Sequence, residues 1–380
     1  MIVRREAGCG VLGLALVGLV VLITAEAEGL ESFQTKVPAV LMDASTGEIL
    51  YENNAHARQA PASMVKMMLA LIVMEKLKDG SLRLDEEITV SGKSSKIGGS
   101  QVYLRQGEVF TLEQLMKAVM IHSANDAAVA VAEHVTGSTE SFVDLMNHKA
   151  GELGMQDSEF YSVHGLPPGR GQSRDTSSPY DMALLARALV QYPKVLEWTC
   201  TLEEPFRDGK FMLHNTNRLL NRYKGLDGLK TGYIRESGFC ITATAARESS
   251  RMIAVVMGAP NNGLRSSETT RLLTRGFEMY KSVKLAGAGQ PLKTRLPVSK
   301  GKSRDIGLRY AGDLAVSVKS NQGSGLNVKE ELPQSVKAPV YEGDVVGKAT
   351  AMLGDKALGS VDIVAAETVE KGSFLQSLFH

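Results

Sequence analysis

Ser63 and Lys66 stand three residues apart at the start of a long apolar segment. On a helix, residues with this spacing share one face, so the hydroxyl and the amine can meet. A serine hydroxyl becomes a strong nucleophile when a base takes its proton, and a lysine can be that base when burial or a neighbouring cation lowers its pKa. The pair predicts covalent catalysis through Ser63, although so short a spacing also recurs by chance.

Ser123 and Asn125 form a second polar motif, 60 residues after Ser63, where a helical pattern is interrupted. Two polar residues at a helix break can both project into a cleft. An asparagine there offers a donor and an acceptor to a substrate amide. The alternative is that Asn125 caps the following helix, and both interpretations can hold together.

Lys230, Thr231 and Gly232 form a third motif at the end of an apparent strand. The lysine can bind a carboxylate and lower the pKa of Lys66, and the threonine can hydrogen-bond the same carboxylate. Gly232 allows a ligand to approach the strand backbone closely. The alternative is a simple transition from strand to turn.

The elements that must position these residues mix helices with strands. Apolar periodicity and turn residues predict helices over 63–75, 111–121, 126–135, 141–153, 180–190 and 267–280, and strands over 39–42, 48–51, 87–90, 226–230, 239–245 and 252–257. The first helix is apolar nearly all round, which is typical of a helix buried in a core. After a linker of small residues at 286–290, short strands at 314–318 and 361–365 predict a separate all-β domain.

The composition excludes several classes of protein. With 43 Lys+Arg against 42 Asp+Glu, the net charge is +1, which gives no general attraction to nucleic acid or anionic lipid. The hydrophobic share of 43% indicates a folded chain, and three cysteines are too few for a disulfide scaffold. We expect Cys200 and Cys240 to be separate buried thiols, with a disulfide between them as the alternative.

Residues 1–27 have the layout of a secretory signal peptide. Arg4 and Arg5 precede an uncharged run over 7–24, and the segment closes with Ala-Glu-Ala. An uncleaved membrane anchor is the alternative. We expect an exported protein of the cell envelope, on the outer face of the cytoplasmic membrane or in the periplasm.

In their order along the chain, the three motifs resemble the signature of penicillin-binding proteins and serine β-lactamases. The middle motif reads Ser-Ala-Asn in place of Ser-Asp-Asn. The segments 61–66, 123–127, 164–167, 227–232 and 263–265 also resemble the low-molecular-mass penicillin-binding proteins that act as serine-type D-alanyl-D-alanine carboxypeptidases. This resemblance covers about residues 35–285, and the β-rich remainder is similar to the C-terminal domain of that family.

The resemblance implies an α/β (α+β) fold of the serine β-lactamase/transpeptidase type, with an antiparallel sheet flanked by helices. This catalytic domain would occupy residues 28–288, and a small all-β domain would follow over 289–370. A short amphipathic tail, 371–380, carries Phe374, Leu375, Leu378 and Phe379 on one face. Family members often end in a helix that lies on a membrane, but two turns are short for an anchor, so membrane contact stays open.

The resemblance also implies a reaction. Ser63 would attack the carbonyl between the last two D-alanines of a peptidoglycan stem pentapeptide, with Lys66 as general base and Ser123 as proton relay. β-Lactam antibiotics would acylate the same serine, and the reaction needs neither a cofactor nor a metal. The substrate-binding positions would be Asn125, His164, Lys230, Thr231, Gly232, Tyr233 and Arg265.

Two of these positions are less defined. Tyr233 would supply a backbone N–H to the oxyanion hole beside that of Ser63, but some family members have a histidine there, so its side-chain role is open. His164 would line the cleft edge or, equally, anchor the turn at 167–168.

Two other functions remain as alternatives. A class A β-lactamase would need a glutamate in the loop after the second motif, and residues 165–178 contain none. The second alternative is a non-catalytic wall-binding protein on the same fold. Such a protein would not need the serine, lysine and asparagine of the three motifs, and all of them are present here. Endopeptidase action on cross-links would use the same acyl transfer with a different leaving group.

Overall fold

The structure is a computed structural model that describes residues 37–248, 250–320 and 325–372. The predicted signal peptide, 1–27, lies outside the described residues, and so do residues 373–380 of the predicted tail. Across the described ranges, no helix is long and apolar enough to span a membrane.

The chain alternates between helices and strands up to residue 279, and the described residues after it form strands as their regular elements. The helices are α1 Lys66–Lys78, α2 Leu112–Met120, α3 Asn125–Thr136, α4 Thr139–Glu152, α5 Pro179–Leu189, α6 Pro193–Cys200 and α7 Asn262–Met279. The first strands are β1 Ala39–Asp43, β2 Ile49–Asn53, β3 Glu87–Thr89, β4 Val109–Thr111, β5 Glu203–Phe206, β6 Phe211–His214, β7 Leu226–Ile234, β8 Gly238–Arg247 and β9 Ser250–Ala259. The later strands are β10 Tyr280–Ala286, β11 Leu296–Ser299, β12 Asp305–Ile306, β13 Leu308–Tyr310, β14 Leu314–Lys319, β15 Leu326–Glu331, β16 Val336–Lys337, β17 Val345–Leu353 and β18 Lys356–Ala365.

A five-stranded antiparallel sheet in the order β2-β1-β9-β8-β7 forms the frame of the first unit. Its strands alternate between two cores, as the two-residue period of a strand requires. Val40 and Met42 pack into the cluster formed with the helices α1 to α6, whereas Ala39 and Leu41 pack against α7. This confirms the predicted antiparallel sheet flanked by helices. The strand β7 lies at the sheet edge, so one side of its backbone is open to a ligand.

The helix α1 lies at the centre of the larger core, as its apolar sequence predicts. Nine consecutive residues, from Lys66 to Met74, are buried. A 3₁₀ turn, Ala62–Val65, leads directly into the helix. Ser63 therefore stands on the first turn of a helix that its neighbours hold rigidly from all sides.

The β-rich unit forms its own core from three small sheets. A four-stranded sheet, β13-β18-β17-β15, is its largest, and β10 pairs with β14. Because β10 begins immediately after α7, the chain passes between the two units without a break in regular structure. Ser282 in β10 donates a hydrogen bond to the Asp43 carboxylate, and its N–H donates to Ser250 Oγ at 2.9 Å. These contacts join β10 to the edge of the first unit.

Some predicted boundaries are wrong for local reasons. The strand β7 runs to Ile234, so the Lys-Thr-Gly motif lies inside a strand and not at its end. The last helix begins at Asn262, five residues early, because the Asn261 side chain caps it by accepting from the Leu264 N–H. The helix α6 and the β5–β6 hairpin had no predicted counterpart. Cys200 is exposed, so the prediction of two buried thiols holds only for Cys240, and both cysteines are free.

Candidate active site

The turn that carries Ser63 is clamped between two glycines. A Cβ atom on Gly232 would lie 2.4 Å from the carbonyl oxygen of Pro61, and one on Gly165 would lie 2.1 Å from that of Ala62. Real Cβ contacts are not this short, so any larger residue would push the strand or the loop away. The two glycines therefore bring β7 and the loop of residues 161–175 against the backbone of Ser63.

Lys66 is fully buried, and three oxygens surround its amine. Its Nζ lies 3.0 Å from Ser63 Oγ, 2.7 Å from Asn125 Oδ1 and 2.8 Å from the carbonyl oxygen of His164. Burial, and next the charge of Lys230, hold the pKa of Lys66 well below its usual value. The site therefore favours a neutral amine.

A neutral amine in this place has its lone pair directed at the serine. It has two hydrogens, and both Asn125 Oδ1 and the carbonyl of His164 can only accept them. The remaining neighbour, Ser63 Oγ, is a hydroxyl and can donate. The arrangement is that of a base ready to take the proton of Ser63, which agrees with the predicted pairing.

Lys230 is the second buried lysine, on β7. Burial, and then the charge of Arg265, lower the pKa of Lys230 to about 7. Its Nζ donates to the carbonyl oxygen of Thr231 at 3.1 Å. Lys230 is therefore close to half-protonated near neutral pH, and its charged form is the one that can bind an anion.

Arg265 stands in the first turn of α7, and no carboxylate of the described chain pairs with it. It donates to neutral oxygens, the carbonyl of Cys240 at 3.4 Å and the side-chain oxygen of Asn262. Its buried Nε finds no partner among the described residues. Burial lowers its pKa to about 10, so it stays charged at neutral pH. A buried cation without a counter-ion suits a bound anion such as a carboxylate.

Ser123 and Asn125 enter the site at the break between α2 and α3. Ser123 is buried with a φ of 65°, in the left-handed region that non-glycine residues rarely adopt. Asn125 Oδ1 accepts from Lys66, and its Nδ2 donates to the carbonyl of Gly98 at 2.7 Å. The amide oxygen is therefore committed to Lys66, and one N–H is left for a substrate. Asn125 does not cap α3 through its side chain, so that alternative is wrong.

His164 anchors the turn that follows it. Its Nδ1 accepts from the N–H of Leu166 at 3.1 Å, and burial, then the charge of Lys66, lower its pKa to about 4. The ring is neutral, and only the backbone carbonyl of His164 contacts Lys66. The structure shows the turn anchor, and His164 also lines a cavity beside Leu166 and Pro167.

Two buried aspartates that the sequence analysis missed hold the loops of the site. Asp175 accepts from the N–H groups of Tyr161 and Ser162 and from the Ser162 hydroxyl, which fixes the loop that supplies the His164 carbonyl. Asp126 accepts from backbone N–H groups of residues 102 and 104 and so fixes the loop before α2. Asp126 could have been found from the sequence, because it directly follows the motif residue Asn125. Asp175 lies in a polar loop that carries no motif.

The remaining predicted residues line the open edge of β7. Thr231 Oγ1 donates to Thr216 Oγ1 at 2.7 Å, and Thr216, on a segment without a recognisable motif, was not predicted. Tyr233 exposes 54% of its surface, and its ring lies 4.3 Å from that of Phe239. Its ring is exposed and packs on Phe239, so a role in the buried site falls to its backbone.

Comparison with known protein families gives matches along most of the chain. The family described as D-alanyl-D-alanine carboxypeptidase matches residues 26–261, and the C-terminal domain of penicillin-binding protein 5 matches residues 280–371. The D-alanyl-D-alanine carboxypeptidase DacF of Bacillus subtilis (strain 168) is 36% identical over 346 residues, which make up 90% of this chain and 87% of that protein.

Solved structures give the same result. Penicillin-binding protein 5 from Haemophilus influenzae is 28% identical with a TM-score of 0.77, over 89% of this chain and 98% of its own. Penicillin-binding protein D2 from Listeria monocytogenes, in its ampicillin-bound form, is 32% identical with a TM-score of 0.58, over 64% of this chain and 98% of its own.

Proposed function

The chain belongs to the D-alanyl-D-alanine carboxypeptidase family, and we propose that Ser63 is its nucleophile. Its function is hydrolysis of the terminal D-alanyl-D-alanine bond of peptidoglycan stem peptides during cell-wall maturation, and it binds penicillin. The observation that carries the residue assignment is the buried amine of Lys66, with two obligate acceptors on its hydrogens and the serine hydroxyl at 3.0 Å.

Acylation begins when Lys66 takes the proton of Ser63. Ser63 Oγ then attacks the carbonyl carbon of the penultimate D-alanine, and the negative charge on its oxygen lies between the N–H groups of Ser63 and Tyr233. Collapse of this intermediate breaks the C–N bond. The proton passes through Ser123 to the departing amine, which leaves as D-alanine.

Deacylation returns the enzyme to its starting state. Water adds to the ester carbonyl and gives a proton to Lys66. The ester bond breaks, and Ser63 Oγ recovers a proton as the shortened peptide leaves with a new carboxylate. A β-lactam forms the same ester, but the amine that it releases stays tethered to the acyl group, so hydrolysis is slow.

Substrate is held at its C-terminal carboxylate. Lys230 and Thr231 lie within β7, and Arg265 of α7 is close enough for its charge to lower the pKa of Lys230; the two cations are buried, and neither has an acid partner in the described ranges. Because a buried charge is costly without a counter-ion, binding of the carboxylate favours the charged form of Lys230. This contact selects peptides that end at the scissile D-alanine.

We also propose the location and the organisation of the chain. A signal peptide over 1–27 would export the enzyme to the envelope, the catalytic domain would occupy 28–288, and the β-rich domain would occupy 289–370. The tail, 371–380, would contact the membrane surface. Membrane fractionation tests the tail, with cells that express either the full chain or a chain lacking residues 372–380. Membrane contact by the tail is supported if the full chain associates with membranes and the truncated chain does not.

The test of the catalytic assignment is a Ser63→Ala variant. We expect it to release no D-alanine from a pentapeptide and to take up no fluorescent penicillin. Ser267→Ala, an exposed serine of α7, is the matched control and should behave as the wild type. Penicillin labelling of the Ser63→Ala protein would refute the assignment.

A further inference from the structure

A cationic groove opens beside Tyr233, on the C-terminal side of Lys230 and Thr231 along β7. Its volume is about 560 Å³. Arg58, Arg174 and Arg235 line it together with one acid, Glu236, so its side chains carry a net charge of about +2. The catalytic scheme above uses none of these four residues.

Two of the arginines are available to a ligand. Arg174 and Arg235 are exposed, and neither has a hydrogen bond or an ion pair within the described part of the chain. Arg58 is partly engaged, because its Nε donates to the carbonyl of Asp157 at 3.1 Å. The groove therefore presents guanidinium groups that form no ion pair with any carboxylate of the described residues.

The path of the substrate leads into this groove. In the proposed reaction the terminal carboxylate lies at Lys230 and Arg265 and the scissile carbonyl lies at the Tyr233 N–H, so the rest of the peptide would continue along the open edge of β7 in the antiparallel direction. An extended peptide advances about 3.3 Å per residue, as the strand does. Arg235, two residues beyond Tyr233, then lies opposite the second or third residue before the scissile bond.

We propose that this groove is a subsite for an anionic third residue of the stem peptide, which is the residue just before the penultimate D-alanine. A third residue whose side chain ends in a carboxylate beside its amine, as in diaminopimelate, would pair with Arg174 and Arg235. A lysine side chain has the amine alone and would be disfavoured by the same charges. This inference rests on the proposed function, since it places the scissile carbonyl at Ser63.

Three pentapeptides that differ only at the third residue test the proposal. They carry diaminopimelate, diaminopimelate with its side-chain carboxylate amidated, and lysine. An exposed ion pair contributes up to about fivefold in binding, so two arginines predict a kcat/KM up to about 25-fold higher for the free carboxylate than for its amide. About 0.5 M salt should reduce this preference, because both partners are exposed to solvent.

Variants assign the preference to the groove. The Arg174→Gln and Arg235→Gln substitutions should each reduce it, and the double variant should remove it while acylation by fluorescent penicillin stays unchanged. Arg222→Gln removes an exposed arginine outside the groove and should keep the preference. If no pentapeptide releases D-alanine, the proposed function is wrong. If all three release it at equal kcat/KM, or if the double variant keeps the preference, the subsite is refuted and the proposed function stands.

Discussion

Replacement of Gly232 by alanine should separate the two halves of the oxyanion hole. The new Cβ would lie 2.4 Å from the Pro61 carbonyl, and ordinary contact begins at 3.4 Å. The obstacle is backbone and cannot rotate away, so β7 has to move from the nucleophile turn by roughly 1.0 Å, the difference between these distances.

The size of the effect follows from this displacement. A donor about 3 Å from the oxyanion would stand at about 4 Å, which removes one hydrogen bond of the transition state and costs about 10²–10³ in rate. Overpacking of this kind destabilises a protein by about 1–3 kcal/mol, so the melting temperature should fall by only a few degrees. The variant should therefore be folded and nearly inactive.

The assay is the rate of Ser63 acylation by fluorescent penicillin, with thermal unfolding measured on the same samples. Gly276→Ala is the matched control, because its Cβ would lie 3.0 Å from the flexible side chain of Leu41, which can give way. The control should acylate at the wild-type rate. A Gly232→Ala enzyme that acylates as fast as the wild type would show that the spacing between β7 and the turn does not set the rate.

Three further predictions follow from the charges and hydrogen bonds of the site. Arg265→Gln removes a cation that lowers the pKa of Lys230. In the wild type, kcat/KM should fall as Lys230 loses its proton near pH 7, and in the variant this fall should move to higher pH. The lost contact with the substrate carboxylate should also lower kcat/KM by at least about tenfold. Asp175→Asn removes an anion that raises the pKa of Lys66, so the pKa of Lys66 should fall in the variant. The acid limb of the pH profile of acylation should then move to lower pH, and a shift of that limb to higher pH would contradict this electrostatic role. Asn125→Ala removes one of the two acceptors that orient the amine of Lys66, so single-turnover acylation should slow by about 10²-fold. An unchanged acylation rate would show that Asn125 does not orient Lys66.

The sequence predicted the fold class, and most residues of the candidate site were named from it. The apolar run after Ser63 indicated a buried helix, and a helix places Lys66 beside Ser63 by its geometry alone. In the structure, Asn125 Oδ1 accepts from Lys66, and the charge of Lys230 lowers the pKa of Lys66, so both later motifs lie beside the Ser63–Lys66 pair. In these places local sequence and tertiary packing agree, so the pattern is informative.

The other features depend on contacts between distant residues, and spacing along the chain does not encode them. Lys66 meets the carbonyl of His164 across 98 positions, and any residue type has a carbonyl. The amide oxygen of Asn125 is engaged by Lys66, a pairing that appears only once the helices are packed. The arginines of the groove come from three separate segments, so no local motif marks them.

The most direct test of the account is the pH dependence of Ser63 acylation by fluorescent penicillin, with the Ser63→Ala protein as blank. Burial and the charge of Lys230 hold the pKa of Lys66 well under its ordinary value of 10.5. If Lys66 is the neutral base, the acylation rate should therefore already have reached half its maximum at a pH far below 10.5. A rate that reaches half its maximum only near pH 10 would mean that Lys66 is charged in the free enzyme, and would contradict the account.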